Sequence, residues 1–257
     1  MKHLLAIALL AMSSQLFAQS DSVLAGVYSY NNSKAIKIPG GERRNILSGS
    51  STDLSKLEIH AVTLDAGKSA RGAETANDLE KLILVKEGSL SLMVNDSTKV
   101  LGPAGYAVLL AGDKQGFINT SATPLTYYSI SYRSRLPVNI KRGMDAGGAS
   151  MKDWKDLQVK QTAKGESRQI FDRPSSMFAR FDMHATALNP GFDSHAPHNH
   201  RAEEIILMIK GEIQVQLAQN FYPAIAGDVI FYPSNSLHAV KNTGNLQCGY
   251  FAIQWRN

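Results

Sequence analysis

The stretch FDMHATALNPG, residues 181–191, repeats an earlier stretch of the same chain, LEIHAVTLDAG, residues 57–67, at an offset of 124 residues. Two further pairs follow in the same order. EKLILVKEG, residues 80–88, matches EEIILMIKG, residues 203–211, at an offset of 123, and GYAVLLAG matches GDVIFYPS at an offset of 122. Three collinear matches with nearly constant spacing indicate a duplicated structural unit.

Both copies have the composition of β-structure. Runs rich in Val, Ile, Leu, Phe and Tyr, such as YYSISY in the first copy and YFAIQW in the second, are separated by Gly, Asn, Asp, Pro and Ser turns. Helical periodicity is weak, and the best candidate is a short helix over residues 150–157, after a linker at residues 143–148. We therefore predict an all-β protein of two antiparallel barrels in tandem, over residues 19–142 and 143–257.

The N-terminal residues have the pattern of a secretory signal peptide. Lys2 precedes an apolar run at residues 4–12, and LFA at residues 16–18 is a plausible cleavage end. The apolar run is about half of the ~20 residues that a membrane-spanning helix requires. We predict cleavage after Ala18, a periplasmic or secreted protein, and no membrane association after cleavage.

The charge and cysteine content exclude several classes of function. The 257 residues carry 27 basic and 22 acidic side chains, and removal of Lys2 with the signal peptide leaves 26 − 22 = +4. The basic residues are scattered, so no nucleic-acid partner is expected. Cys248 is the single cysteine, which excludes an intrachain disulfide. It is interpreted as an apolar filler of a buried strand, with a reactive thiol as the alternative.

Four candidate metal ligands lie in the second copy, in the segments GFDSHAPHNHRAEEIILMIKG and GDVIFYPSNSLHAVKN. His198 and His200 are two residues apart, so on an extended strand both imidazoles point to the same face. Glu204 has the same parity, and His238 would arrive from another strand of the barrel. Three imidazoles and one carboxylate suit Mn, Fe, Co, Ni or Zn and leave positions for water or substrate.

The repeat itself tests this assignment. Subtracting the local offsets from the four positions gives residues that are poor metal ligands: Thr75, Asn77, Lys81 and Gly116. The fold therefore does not require histidine or glutamate at these places, and the first domain is expected to lack metal ligands. Glu203 is the rival carboxylate, but its parity points it to the opposite face. The alternative is that the histidines are solvated or structural and share this spacing by chance.

Other polar residues give weaker signals. His60 and His184 occupy equivalent positions in the two copies, which favours a structural role. His195 precedes the candidate ligands and is interpreted either as a catalytic base or as a solvated loop residue. Tyr232 is the second candidate for proton transfer. Further residues that could line a cavity are Arg180, Tyr250 and Gln254.

These motifs resemble those of the cupin superfamily, G-x5-H-x-H-x3,4-E-x6-G and G-x5-P-x-G-x2-H-x3-N. The chain departs from them by one extra residue between Gly191 and His198, and by Asn235 in place of glycine. The resemblance implies a jelly-roll (double-stranded β-helix) fold for each domain and the ligands His198, His200, Glu204 and His238. The two-domain layout resembles that of ureidoglycine aminohydrolases, although that family places Glu-x-His-x3-His and a glutamine at the ligand positions.

The resulting expectation is an exported metalloprotein that binds one divalent transition metal, manganese in the first place, with Fe, Ni, Co or Zn as alternatives. We expect a metal-dependent enzyme of the hydrolase, isomerase or lyase type acting on a small polar metabolite. A second enzymatic hypothesis is a cupin dioxygenase. The competing class is a non-catalytic protein in which the metal anchors a small molecule or sugar. A homodimer is a further expectation.

Overall fold

The computed structural model describes residues 22–70, 74–75 and 78–257. The predicted signal peptide of residues 1–18 lies outside these described residues. None of the helices in the described part of the chain is long and apolar enough to span a bilayer.

The described residues are almost entirely β-strands. In chain order, the strands of the first half are β1 (Gly26–Tyr28), β2 (Ala35–Ile38), β3 (Gly41–Gly49), β4 (Leu54–Leu64), β5 (Glu74–Thr75), β6 (Glu80–Glu87), β7 (Leu90–Val94), β8 (Ser97–Leu101), β9 (Tyr106–Leu109), β10 (Lys114–Asn119) and β11 (Leu125–Ser134). The strands coincide with the apolar runs between Gly, Asn, Asp and Pro turns.

A short helix, α1 (Ile140–Asp145), and a 3-10 turn (Trp154–Asp156) lie between the two repeat copies. The remaining strands are β12 (Ser150–Lys152), β13 (Lys160–Thr162), β14 (Gly165–Arg173), β15 (Arg180–Leu188), β16 (Glu203–Lys210), β17 (Glu212–Leu217), β18 (Asn220–Ile225), β19 (Val229–Tyr232), β20 (His238–Lys241) and β21 (Cys248–Arg256).

The large sheets of the two copies have the same strand order, and the small sheets have four strands in the first copy and three in the second. The first contains the sheets β12-β9-β6-β11-β4-β3-β2 and β5-β10-β7-β8. The second contains β1-β19-β16-β21-β15-β14-β13 and β18-β17-β20. Each large sheet lies opposite a small one, and together they form a barrel. The prediction of an all-β protein with two barrels in tandem is confirmed.

The barrels exchange edge strands. Strand β1, from the start of the described chain, pairs antiparallel with β19 of the second barrel. Strand β12, which follows the first copy, pairs with β9 of the first barrel. Each large sheet is therefore completed by a short strand from outside its own repeat copy, and this covers an edge that would otherwise be unpaired.

The connection between the copies differs from the prediction. A helix was expected over residues 150–157, but Ser150–Lys152 is a strand because it satisfies the backbone groups of β9. Asp153 then begins the 3-10 turn, and its side chain accepts a hydrogen bond from the backbone N–H of Lys155. The helix lies earlier, at Ile140–Asp145, and Asn139 caps its first turn through the N–H of Arg142. It overlaps the linker that was predicted over residues 143–148.

Three apolar clusters hold the molecule together. Two of them fill the barrel interiors: Val62, Leu64, Ile83, Val85, Leu90, Leu92, Leu109 and Leu125 in the first, and Ile206, Met208, Ile213, Val215, Ile230, Val240 and Cys248 in the second. The third lies between the outer faces of the two large sheets and includes Ile59, Tyr128, Ile130, Tyr132, Phe178, Phe181, Ile205, Phe231, Ile253 and Trp255. Both faces of each large sheet are thus buried.

Candidate metal centre

The four predicted ligands come from three places in the second barrel. His198 and His200 lie in the loop between β15 and β16, so the expectation that a strand carries them is wrong. The loop is instead held by backbone pairing. His198 N–H donates to the carbonyl of His238 at 3.1 Å, and His238 N–H donates back to that of His198 at 2.9 Å. Glu204 lies on β16, and His238 begins β20.

The three imidazoles form a compact cluster. One ring nitrogen from each of His198, His200 and His238 lies within 4.8 Å of the others. Ring centroids are 4.5 Å apart for His198 and His238, and 4.9 Å apart for His200 and His238. Side chains from a loop and a separate strand therefore converge at one point, in an arrangement that could hold a metal ion.

Glu204 lies against this cluster. Its Oε2 is 3.2 Å from His200 Nε2 and 3.3 Å from His238 Nε2, and its side chain is only 7% exposed. Burial alone would raise the pKa of Glu204, but the adjacent imidazoles of His200 and His238 outweigh burial and lower the pKa to about 2. The carboxylate is therefore ionised at neutral pH. Glu203, its neighbour, faces the other side of the strand, as the strand parity predicts.

The orientation of the imidazoles fits a metal. His200 Nδ1 lies 2.8 Å from the carbonyl oxygen of Ala202, and His238 Nδ1 lies 2.8 Å from that of Ser236. Proton donation to these carbonyls leaves each Nε2 as the lone-pair atom facing Glu204, which is the usual arrangement of metal-binding histidines. Nε2 of His238 is buried and has no hydrogen-bond partner among the described residues. A cation at this point would satisfy it.

Asn235 replaces a glycine of the second motif without disturbing the site. Its φ is 60°, in the left-handed region that glycine adopts freely and asparagine tolerates better than most residues. Its backbone N–H donates to the carbonyl of His200 at 2.7 Å. The turn therefore ties the ligand loop to the segment that leads to His238.

A cavity of about 520 Å³ opens beside the cluster. It is lined by His198, Glu204 and His238 together with both residues proposed for proton transfer. The His195 ring centroid lies 4.1 Å from that of His198. The Tyr232 ring stacks on His238 at 4.3 Å, and its buried hydroxyl has no partner among the described residues. Burial raises the pKa of Tyr232 well above its usual value, so the phenol is neutral.

The sequence left other cavity residues undecided. Gln254 faces the cavity because it lies opposite Glu204 in the pairing of β16 with β21, and its Nε2 donates to Glu204 Oε2 at 3.2 Å. Tyr250 and Lys164 also line the cavity. Arg180 does not, since it makes two 2.8 Å contacts with Asp172. The sequence gives no signal for Lys164, because its loop has no pattern that indicates the direction of its side chain.

The equivalent positions in the first barrel offer no such cluster. Thr75 is exposed, and Asn77 lies outside the described residues. Gln115, not the predicted Gly116, lies at the position of His238, because it pairs with Val94 as His238 pairs with the equivalent Leu217. Lys81 has the opposite charge to Glu204. The first barrel thus differs from the second in its site while sharing the strand order of its large sheet.

Comparison with known proteins supports this description of the fold. Residues 185–253 match the family model of the Cupin domain. The chain has a tandem cupin fold. The Cupin match includes Glu204 and His238, whereas no curated protein matches the chain in sequence.

Several solved structures have the same two-barrel architecture. AerE from Microcystis aeruginosa is 17% identical, with a TM-score of 0.66 over 88% of this chain and 97% of that chain. Protein Ylba from E. coli is 19% identical, with a TM-score of 0.71 over 90% and 91%. The oxalate decarboxylase of Lactobacillus farciminis, in a formate complex, is 11% identical, with a TM-score of 0.71 over 91% and 87%. At these identities, the likeness concerns the fold.

Proposed function

We propose that the second cupin barrel binds one divalent transition metal through His198, His200, Glu204 and His238 and acts as a metal-dependent enzyme on a small polar metabolite. The observation that carries this proposal is the convergence of three imidazole nitrogens within 4.8 Å of one another, beside a buried carboxylate at a cavity. Nitrogen and carboxylate ligands of this kind suit Mn, Fe, Co, Ni or Zn.

The chemistry follows from the donor set and the cavity. A bound divalent metal with open positions polarises a substrate carbonyl or lowers the pKa of a bound water molecule. The Tyr232 hydroxyl, buried and without a partner among the described residues, would donate a hydrogen bond to a substrate oxygen. Lys164, which lines the cavity, would attract an anionic substrate. His195, at the rim, stays the candidate for proton transfer.

The substrate class is proposed from the cavity and from the resemblance in sequence. A cavity with a lysine, a phenol and an amide suits a metabolite with carboxylate or amide groups. The resemblance to ureidoglycine aminohydrolases puts ureido compounds first in a substrate screen. Oxalate decarboxylases among the structural neighbours add short carboxylates and keto acids, and uronates complete the panel. Hydrolysis, isomerisation and elimination are the proposed reaction types.

Metal analysis tests the first half of the proposal. The purified chain, its His238→Ala variant and a His184→Ala control are analysed for bound metal. His184 also lines the cavity but lies outside the imidazole cluster. We expect about one metal per wild-type and control molecule and almost none in His238→Ala. A wild-type protein that neither holds nor takes up a transition metal would overturn the metal site.

A turnover screen tests the second half. The metal-loaded protein is incubated with the substrate panel, and products are detected by NMR and mass spectrometry. We expect product from one class, and its loss in His238→Ala. Saturable binding without product would instead support a non-catalytic binding protein, and product formed only with iron and oxygen would support a dioxygenase.

We also propose that the protein is exported, because residues 1–18 have the pattern of a signal peptide. Expression in a bacterial host, followed by fractionation and N-terminal sequencing, tests this. The expected product begins at Gln19 and lies outside the cytoplasm. An unprocessed cytoplasmic chain would contradict the proposal.

A further inference from the structure

The first barrel contains its own cavity, at the place that corresponds to the metal centre of the second. It has a volume of about 220 Å³. The polar residues that line it are Arg43, His60, Lys81, Gln115, Tyr127 and Ser129. Strands β3, β4, β6, β10 and β11 supply these residues, and their counterparts in the second barrel build the large cavity.

The charge of this cavity is opposite to that of the metal centre. Lys81 stands where the second barrel has Glu204. Val62 and Thr186 are equivalent positions of the two barrels. Arg43 pairs with Val62 in the first barrel, and Ser167 pairs with Thr186 in the second. The first barrel therefore has an arginine where the second has a serine. The carboxylate of Glu58 lies 4.0 Å from His60 Nε2 and is already paired with Lys56 at 3.2 Å. The surroundings therefore favour an anion over a cation.

Several polar atoms in the wall of this cavity have no partner among the described residues. They are Arg43 Nε, His60 Nδ1 and Gln115 Oε1, all shielded from solvent. Gln115 is only 3% exposed. Buried polar groups are normally hydrogen-bonded, so three such atoms around one cavity point to a missing ligand. Burial and the charge of Arg43 lower the pKa of His60, so the ring is neutral and able to donate one hydrogen bond.

We propose that the first barrel binds a short carboxylate carrying a hydroxyl group, with Arg43 and His60 on the carboxylate and Gln115 on the hydroxyl. A guanidinium forms strong charge-assisted hydrogen bonds with a carboxylate. The Gln115 side-chain oxygen would accept from the hydroxyl. The stacked rings of Phe117 and Tyr127, with centroids 5.3 Å apart, form one wall of the cavity. Its volume of about 220 Å³ suits a small ligand.

Isothermal titration calorimetry of the full chain, stripped of metal by a chelator, tests this site. The probes are glycolate, acetate and acetamide. We expect one glycolate per chain, weaker binding of acetate because it lacks the hydroxyl, and no measurable binding of acetamide because it lacks the charge. Absence of glycolate binding, or equal binding of acetamide, would overturn the proposal.

Variants locate the bound probe. Arg43→Gln and Gln115→Leu should each weaken glycolate binding, Arg43→Gln by about tenfold or more, because a hydrogen bond to a charged group is lost. Arg44→Gln is the matched control, since it removes the same charge from the opposite face of the same strand, where Arg44 pairs with Glu42. His198→Ala tests the other barrel. Binding that is lost in His198→Ala and kept in Arg43→Gln would place the probe in the metal cavity and refute this site.

A variant that fails to fold would be recognised by its melting temperature. Arg43→Lys, which keeps the charge in a smaller donor, then serves as the second variant and should retain part of the affinity. The outcome is separable from the proposed function, because glycolate binding is measured without metal. Loss of the metal site would leave glycolate binding in the first barrel unchanged.

Discussion

Gln254 holds the carboxylate of Glu204 by a 3.2 Å hydrogen bond. We expect Gln254→Leu to weaken metal affinity by about tenfold, because groups that orient a ligand typically contribute that much. Competition with a metal-sensitive chelator measures the change. The control is Gln247→Leu, whose side chain contacts Lys210 and Asn189 instead. Equal affinity in both variants would mean that Gln254 does not position Glu204.

Glu80, the counterpart of Glu203 in the first barrel, should make the stability of the protein depend on pH. It is fully buried and accepts a 2.7 Å hydrogen bond from Ser176 N–H. Burial raises its pKa against the effect of its hydrogen bonds. A carboxyl group whose pKa is raised by folding binds its proton more tightly in the folded state than in the unfolded state. Its contribution to stability is therefore present below the pKa of the unfolded state and is lost as pH rises through the pKa of the folded state.

Glu80→Gln removes that titration while keeping an oxygen for Ser176. We expect the variant to melt about 2 °C or more above the wild type at pH 8, with the difference disappearing near pH 4. Thermal unfolding across this range measures it. A variant that is equally destabilised at both pH values would show that the charged carboxylate is needed for the Ser176 contact.

At the scale of elements, the two faces of strand β16 have different roles: one face contacts the other barrel, and the other faces the imidazoles. Glu203 points to the interface and accepts four hydrogen bonds, from Ser51 Oγ, Thr52 N–H, Asp53 N–H and Trp255 Nε1. Glu204 points into the barrel toward the imidazoles. Neighbouring residues of the same type thus act in different ways because successive side chains of a strand alternate.

Glu203→Ala should reduce the free energy of unfolding by about 3–5 kcal/mol, because it leaves four donors without an acceptor in a buried place. Any folded fraction should retain its metal. Glu204→Ala should lose metal with a smaller loss of stability. Denaturant unfolding and metal analysis compare the two, with exposed Glu212→Ala as control. If Glu203→Ala lost metal as fully as Glu204→Ala, the division between the faces would be wrong.

The sequence predicted those elements whose pattern is local. The repeat identified two β-units, and the apolar runs at LILV and EIILMI lie on β6 and β16. Strands β1 and β12 could not be foreseen, because three residues show no periodicity and their partners lie in the other repeat copy. The parity rule separated Glu204 from Glu203. It did not find Gln254, whose role depends on the register between β16 and β21.

At the scale of the whole molecule, the two barrels are joined in three ways. They exchange strands β1 and β12, and they share the apolar cluster between their large sheets. Two buried carboxylates also cross the interface in opposite directions. Glu80 of the first barrel binds Ser176 beside the second, while Glu203 of the second binds residues 51–53 of the first. The first barrel is therefore part of the structural support of the imidazole cluster.

This mutual support predicts that the barrels unfold together. Calorimetry should show one transition, with a van't Hoff enthalpy close to the calorimetric enthalpy. Phe178 is 1% exposed. Its ring lies 5.0 Å from that of Tyr132 in the first barrel and 5.8 Å from that of Trp255 in its own barrel. Phe178→Ala should lower the single melting temperature by roughly 10 °C, since a buried phenylalanine contributes about 3–5 kcal/mol.

The control for this prediction is Phe221→Ala, because Phe221 is 58% exposed and its loss should change stability by no more than about 0.5 kcal/mol. Two resolved transitions in the wild type, or a Phe178→Ala variant in which only one part of the enthalpy shifts, would mean that the barrels are independent. One shifted transition would instead show that a substitution far from the imidazoles destabilises the barrel that holds them. Each barrel lacks an edge strand and a buried face without the other.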